Sequence, residues 1–144
     1  MRTIACATLA ASIALQCAAV AHADSPADTK RVVRAWSAYL NAYDNAGAAR
    51  LFSRPATFTQ GGARLRLGTS ADIALWHSLL PCAGRIVSIS VKGERATAVF
   101  ALASGKNRRC DAPGATAAAV FRIRGGKIRA WTQIPVPKPE GPTA

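Results

Sequence analysis

Apolar residues recur every three or four positions in the first third of the chain, which predicts two helices. From Lys30 to Tyr43 they lie on one helical face. Asp44 or Asn45 can cap a second, short helix that ends at Pro55. The apolar positions are Val32, Val33, Trp36, Tyr39, Leu40 and Tyr43 in the first helix, and Ala48, Leu51 and Phe52 in the second.

A third helix follows a polar start signal. Thr69 can act as the N-cap and Asp72 lies in the first turn, so this segment has the form of a capping box. Pro81 ends the helix. Its buried stripe consists of Ile73, Trp76 and Leu80.

Alternation of apolar and polar residues predicts six strands, joined in pairs by short glycine-containing turns. The strands are residues 57–60, 64–67, 85–91, 94–102, 117–124 and 127–134. The order is two helices, two strands, one helix and four strands. This order predicts an α+β fold: a curved antiparallel sheet of about six strands, with three helices packed on its concave face.

The turns also predict the strand register, and with it the two faces of the sheet. The helix-covered face would carry Val87, Ile89, Ala96, Ala98, Phe100, Phe121, Ile123, Ile128 and Ala130. The opposite face would be basic, with Trp131 among its arginines. A solvated sheet surface is the more common explanation for such a face; the alternative is an anion-binding surface, suited to an anionic surface or polymer. Its residues are Arg122, Arg124, Lys127 and Arg129.

The N-terminal 23 residues have the pattern of a signal peptide. Met1-Arg2 is a basic start, residues 4–15 are an apolar run, and Ala21-His22-Ala23 is a small-x-small cleavage site. The mature protein would begin at Asp24 and be secreted or periplasmic, without a transmembrane anchor. An uncleaved anchor and a lipidated cysteine are the alternatives. Residues 24–135 would form one domain with a loose start up to residue 29, and the proline-rich residues 136–144 a disordered tail.

Composition adds two constraints. The net charge is +12, and the mature chain would keep +11 because Arg2 is the one charged residue of the leader; such a charge favours contact with anionic partners. Cys82 and Cys110 would remain after cleavage and form a disulfide in an oxidising compartment. Two cysteines without clustered histidines cannot complete a metal site, so we predict neither a metal nor another cofactor.

Three parts of the chain form a familiar pattern. The first is the N-terminal helical segment with Val33, Trp36 and Tyr43-Asp44, the second is residues 48–52 and 56–58, and the third is residues 117–128. This pattern resembles the nuclear transport factor 2-like superfamily, also called SnoaL-like or cystatin-like α+β cones, over roughly residues 30–135. The superfamily contains ketosteroid isomerases, scytalone dehydratases, epoxide hydrolases, polyketide cyclases and non-catalytic binding proteins. The fold alone does not choose among them, and no motif of a nucleic-acid-binding family is present.

The superfamily's isomerases and epoxide hydrolases use carboxylates inside the cone, and this sequence predicts none there. Every Asp and Glu falls in a loop, a turn, a helix end or a terminus. The remaining candidate base is His77, beside the apolar stripe of the third helix, with Tyr39 or Tyr43 as hydrogen-bond donor. A partly exposed histidine without a catalytic role is the interpretation that we favour.

Aromatic residues under the helices form the second candidate site. A hydrophobic pocket would be lined by Trp36, Tyr39, Tyr43, Phe58, Trp76 and His77, although aromatic residues at helical spacing more often form a packed core. The sequence therefore predicts a non-catalytic binding protein, for a small apolar molecule in the cone or an anionic partner on the basic face. The alternative is a small isomerase, dehydratase or cyclase that uses His77. We expect a monomer, because two basic faces would repel each other.

Overall fold

The computed structural model describes residues 23–139, and its elements follow the predicted order. The helices are α1 (Pro26–Asn41), α2 (Asn45–Arg50) and α3 (Ser70–Ser78). The strands are β1 (Phe52–Gln60), β2 (Ala63–Leu67), β3 (Ala83–Lys92), β4 (Arg95–Ala103), β5 (Thr116–Arg124) and β6 (Lys127–Ile134). The predicted leader, except Ala23, and the tail from residue 140 lie outside the described residues. Within residues 23–139, no helix is both long enough and apolar enough to cross a membrane.

All six strands form one curved sheet in the order β2-β1-β6-β5-β4-β3. Together with the three helices this confirms the predicted α+β cone. One pairing differs from the prediction: β1 and β6 are parallel, so the sheet is mixed rather than antiparallel throughout. These two strands are far apart in the chain, and no short turn sets their relative direction.

The start of α1 differs from the prediction, because the polar segment before Lys30 is already helical. Ser25 is the N-cap, and its hydroxyl accepts a hydrogen bond from the Asp28 N–H at 3.1 Å. Pro26 follows at the start of the helix, where its missing N–H costs nothing. The N-terminal part of the domain is therefore ordered by its own capping residues.

The end of α2 also differs from the prediction. Phe52 is the first residue of β1 rather than part of the helix, and Pro55 lies inside that strand. The β1–β6 register shifts between Phe52 and Thr57, and Pro55 occupies this irregular stretch. A proline that cannot donate to a sheet is tolerated at such an interruption.

A β-bulge between β5 and β6 changes which residues face the core. Ile123 pairs with Ile128, but Arg122 pairs with Ala130, so Arg129 is an extra residue. One extra residue reverses the facing of everything that follows it in the strand. Trp131 therefore pairs with Phe121 on the helix-covered face and is buried, and its predicted place on the basic face is wrong.

A second bulge, between β3 and β4, has the same effect on Val87. Ile86 pairs with Phe100 and Ser88 pairs with Val99, which leaves Val87 unpaired. Val87 is 54% exposed instead of facing the helices, and Ile86 packs against the core in its place. The predicted facing of Ile89, Ala96 and Ala98 is correct, because they lie on the turn side of the bulge.

The Cys82–Cys110 disulfide is formed, with the two Cα atoms 4.3 Å apart. It ties the loop between β4 and β5 to the segment between α3 and β3. That segment forms one wall of the cavity described below.

Candidate functional site

A cavity of about 120 Å³ lies between α1, the segment 80–84 and the helix-covered face of β4, β5 and β6. Most of its wall is apolar. Trp36 and Leu40 line it from α1, Phe100 and Leu102 from β4, and Trp131 from β6. This is the interior of the cone, beneath the first helix.

Small residues leave this space open. The cavity is lined by Ala117 and Ala119 on β5 and by Ala83 and Gly84 at the start of β3. Further along β5, the larger Phe121 fills the core. The volume corresponds to roughly four molecules of liquid water and lies below the range of drug-sized pockets. A ligand of at most one small ring would fit, with its polar end in the opening beside Gln133.

Two carboxamides supply polar groups to the lining. Gln60 follows Phe58 by two residues on β1, and Gln133 follows Trp131 by two residues on β6, so both face the helices. Gln133 is exposed and Gln60 is partly buried, which places them towards the opening. The sequence analysis missed both, although the alternation after Phe58 pointed to Gln60.

The lining contains no ionisable side chain that could act as an acid or base, since Cys82 is disulfide-bonded. Its one hydroxyl, on Ser37, donates to the Gly84 carbonyl oxygen at 3.2 Å. Asn41 Nδ2 donates to the same oxygen at 2.9 Å. These two hydrogen bonds connect α1 to β3. Among the lining residues, none is a base that could activate the Ser37 hydroxyl as a nucleophile.

Trp131 contributes its side chain to the cavity wall. Its side chain is buried, and its Nε1–H has no hydrogen-bond acceptor within residues 23–139. A buried donor left unsatisfied costs about 1–3 kcal/mol. Because this nitrogen is itself buried, its lack of a partner does not by itself point to a ligand in the cavity.

His77 lies in the core and not in the cavity lining. It is fully buried, so the expectation of a partly exposed histidine is wrong. Its Nε2 accepts a hydrogen bond from Trp36 Nε1 at 2.9 Å, which requires the neutral tautomer with its proton on Nδ1. The rings of Phe52, Phe58 and Trp76 surround it, with ring centroids 5.1–6.2 Å from its own.

These surroundings keep His77 neutral. The pKa of His77 is lowered to about 4, mainly because burial penalises the imidazolium. The positive charge of Arg108 lowers this pKa further, whereas the Ile73 backbone raises it. With Nε2 occupied by Trp36, the lone pair that a general base needs is already engaged.

The other predicted pocket residues also lie apart from the cavity. Phe58 and Trp76 belong to the packed core, with ring centroids 4.3 Å apart. Tyr39 packs beside Gly47 of α2, and Tyr43 is 36% exposed. Trp36 is the one member of the predicted set that lines the cavity.

Arg108 holds the β4–β5 loop against the end of α3, a role that the sequence analysis missed. Its Nη2 donates to the His77 carbonyl oxygen at 2.8 Å and to Asn45 Oδ1 at 3.2 Å. Its guanidinium carbon lies 5.2 Å from the centroid of the Tyr43 ring. Burial lowers the pKa of Arg108.

No carboxylate among residues 23–139 is buried in the core. Asp44 accepts a hydrogen bond from the Gly47 N–H at 2.7 Å and caps α2, and Asp72 lies in the first turn of α3. Asp24 accepts from the Gly126 N–H at 3.1 Å. The predicted absence of an internal acid therefore holds for the described residues, and Glu140 lies outside them.

The predicted anion-binding residues lie around the β5–β6 turn. Arg122 and Arg124 both approach Glu94, with Nε–O distances of 3.7 and 3.4 Å. Lys127 Nζ donates to the Arg50 carbonyl oxygen at 2.7 Å. Arg129, the bulge residue, is exposed. Three of the four are thus partly engaged within the molecule.

No family model matches this chain, and no curated protein matches it. Solved structures do. An NTF2-like protein of unknown function from Cytophaga hutchinsonii aligns with a TM-score of 0.58 at 14% identity, over 74% of this chain and 88% of the other. A Kribbella flavida protein provisionally assigned as a ketosteroid isomerase aligns with a TM-score of 0.61 at 16% identity, over 82% and 84%.

A third structure was solved with a small ligand. It is a protein with a ketosteroid isomerase-like fold from Catenulispora acidiphila in complex with trimethylamine, with a TM-score of 0.56 at 19% identity, over 77% of this chain and 86% of the other. At these identities the likeness establishes architecture rather than activity. The chain has the nuclear transport factor 2-like fold.

Proposed function

We propose that this chain is a secreted or periplasmic, non-catalytic binding protein that holds a small, uncharged, mostly apolar molecule in the cavity beneath α1. The observation that carries the proposal is the chemistry of the lining: apolar walls, two carboxamides and no acid or base. Such a wall binds by excluding water from apolar surface, and a few polar groups orient the ligand.

Two polar features favour a ligand with an acceptor atom at one end. The Gln60 and Gln133 carboxamides line the cavity, and each can donate as well as accept. A charged ligand would lose its hydration without gaining a counter-ion from the lining, which is costly. The trimethylamine bound by the Catenulispora acidiphila protein shows that a structure of this fold can hold a molecule of a few heavy atoms.

The isomerase, dehydratase or cyclase alternative lacks support from the site. Acid–base chemistry needs a titratable group within reach of the substrate. His77 is outside the lining and its Nε2 is occupied by Trp36. The binding function therefore agrees with the geometry better than a catalytic one.

Phenol is a suitable probe because it combines one apolar ring with one hydroxyl. We expect saturable binding of phenol by calorimetry, with benzoate at least about tenfold weaker because the carboxylate finds no counter-ion. Ala117→Leu adds three carbons to the cavity wall and should abolish phenol binding.

Thr116→Leu is the matched control, since it places the same bulk on an exposed position of β5 next to Ala117. It should leave phenol binding unchanged. Equal affinity of wild type and Ala117→Leu for phenol, or no saturable binding of any neutral single-ring compound, would refute the proposal.

A further inference from the structure

The face of the sheet away from the helices carries a row of cations that crosses the strands. Lys92 on β3 pairs with Arg95 on β4, and Arg95 pairs with Arg122 on β5. The next two positions of the row, Ala130 on β6 and Thr57 on β1, are uncharged, and the row ends at Arg66 on β2. Lys92, Arg95, Arg122 and Arg66, all exposed, are called the cationic row here.

The register shows that neighbouring members of this row directly oppose one another. Adjacent strands lie about 4.8 Å apart, so Lys92, Arg95 and Arg122 present three positive charges on three successive strands. Like charges opposed in this way destabilise a sheet. An anion along the row would relieve that repulsion.

Carboxylates within the molecule neutralise the positive charge of the cationic row only in part. Glu94 contacts Arg122 and Arg124, and both contacts use the arginine Nε atoms. Among residues 23–139, Lys92, Arg95 and Arg66 form no salt bridge. The row therefore has donors left for an external anion.

A second row, beside the first, consists mainly of hydroxyl groups. Two residues along each strand, Ser90 pairs with Thr97 and Thr132 pairs with Thr59. Val120 on β5 lies between these two pairs, and the row ends at Arg64. Hydroxyl groups can donate to anionic oxygens and accept from sugar hydroxyls. The two rows together are polar, positively charged and elongated across the strands.

We propose that this face binds a linear anionic polysaccharide, which lies across the strands along the cationic row. The inference concerns the side of the sheet opposite the cavity and is independent of the proposed function. Charge complementarity identifies the partner as a polyanion.

The absence of aromatic residues favours a polysaccharide over nucleic acid or lipid. Eight of the nine aromatic residues lie in the helices or on the helix-covered face, including Trp131, and the ninth, Tyr43, lies in the turn between α1 and α2. The face therefore has no ring on which a base could stack and no aromatic anchor for a membrane interface. A flexible chain can also follow a curved sheet, which a flat bilayer cannot.

Heparin is the probe for this surface, measured by calorimetry over a series of salt concentrations. The triple variant Lys92→Gln, Arg95→Gln, Arg122→Gln should bind heparin about tenfold more weakly and with a shallower salt dependence, because fewer counterions are released. The control Arg34→Gln, Lys106→Gln, Arg109→Gln removes the same charge from α1 and the β4–β5 loop. It should weaken heparin binding by less than about threefold.

Glu94→Gln provides a change in the opposite direction. It removes the internal competitor of the row and should tighten heparin binding. Equal losses in the two triple variants would show an effect of net charge alone and overturn the proposal. Binding of dT oligonucleotides or phosphatidylglycerol vesicles with an affinity equal to or higher than that for heparin would also overturn it.

Discussion

His77 shows how its surroundings determine what one residue can do. A histidine on a helix is usually a titrating surface group, but this one has zero exposure and accepts a hydrogen bond from Trp36. The Trp36 indole in turn lies edge-on to Phe121, with ring centroids 5.0 Å apart. His77 thus satisfies a buried tryptophan N–H, which makes it a structural residue.

This role predicts a pH dependence of folding. Because the pKa of His77 is about 4 when folded and about 6.5 when unfolded, the unfolded state takes up the proton first as pH falls. The stabilisation that depends on neutral His77 is fully present above the pKa of the unfolded state, 6.5. It decreases as the pH falls below 6.5 and is fully lost below the pKa of the folded state, about 4. We expect the free energy of unfolding to drop by about 2 kcal/mol between pH 7.5 and 5.

Urea titrations at several pH values measure this drop. His77→Gln keeps an acceptor for the Trp36 N–H but cannot titrate, so its pH dependence in this range should nearly disappear. If the variant shows the same slope as the wild type, another group is responsible.

At the scale of elements, the two bulges decide how β3 and β6 contribute to the core. In β6, the extra residue Arg129 moves Trp131 to the helix-covered face. Trp131 then packs against Trp76 at a centroid distance of 4.9 Å and lines the cavity. Because two residues separate Ile128 from Trp131, the bulge is what places Trp131 in both the core and the candidate site.

Deleting Arg129 should restore regular pairing and leave Trp131 on the helix-covered face, because Trp131 would still pair with Phe121. Since no large side chain would leave the core, we expect a loss of about 1 kcal/mol or less. Urea unfolding measures the difference. Deletion of Thr97, at a regular position of β4, would instead reverse the facing of Phe100 and should cost about 3–5 kcal/mol or prevent folding; equal costs would contradict the assigned role of the bulge.

At the scale of the whole molecule, the sheet separates two different surfaces. The cavity and the aromatic residues lie under the helices, and the cationic row lies on the other side. The disulfide connects the loop and the segment at one end of this sheet. Its presence agrees with an oxidising compartment, and the N-terminal pattern of residues 1–23 provides the separate reason to propose export.

If the chain is exported, the mature protein has a defined N-terminus and a defined mass. In a bacterial host, the full chain should yield a periplasmic protein that begins at Asp24 and weighs about two daltons less than its reduced form, the mass of two hydrogens. Intact-mass analysis before and after reduction tests both statements. Accumulation of a cytoplasmic product that keeps Met1, or free thiols at Cys82 and Cys110, would contradict them.

The order of helices and strands, the glycine turns, the Thr69 cap and the Cys82–Cys110 pair could all be predicted from the amino-acid sequence. These features depend on periodicity and on neighbours close in the chain, or, for the cysteine pair, on the expectation that Cys6 and Cys17 are removed with the leader. Four other features became clear only from the folded chain: the parallel pairing of β1 with β6, the facing of Trp131, the burial of His77 and the position of the cavity. Each of these depends on a one-residue bulge or on packing between distant segments, which a local pattern of apolar and polar residues does not specify.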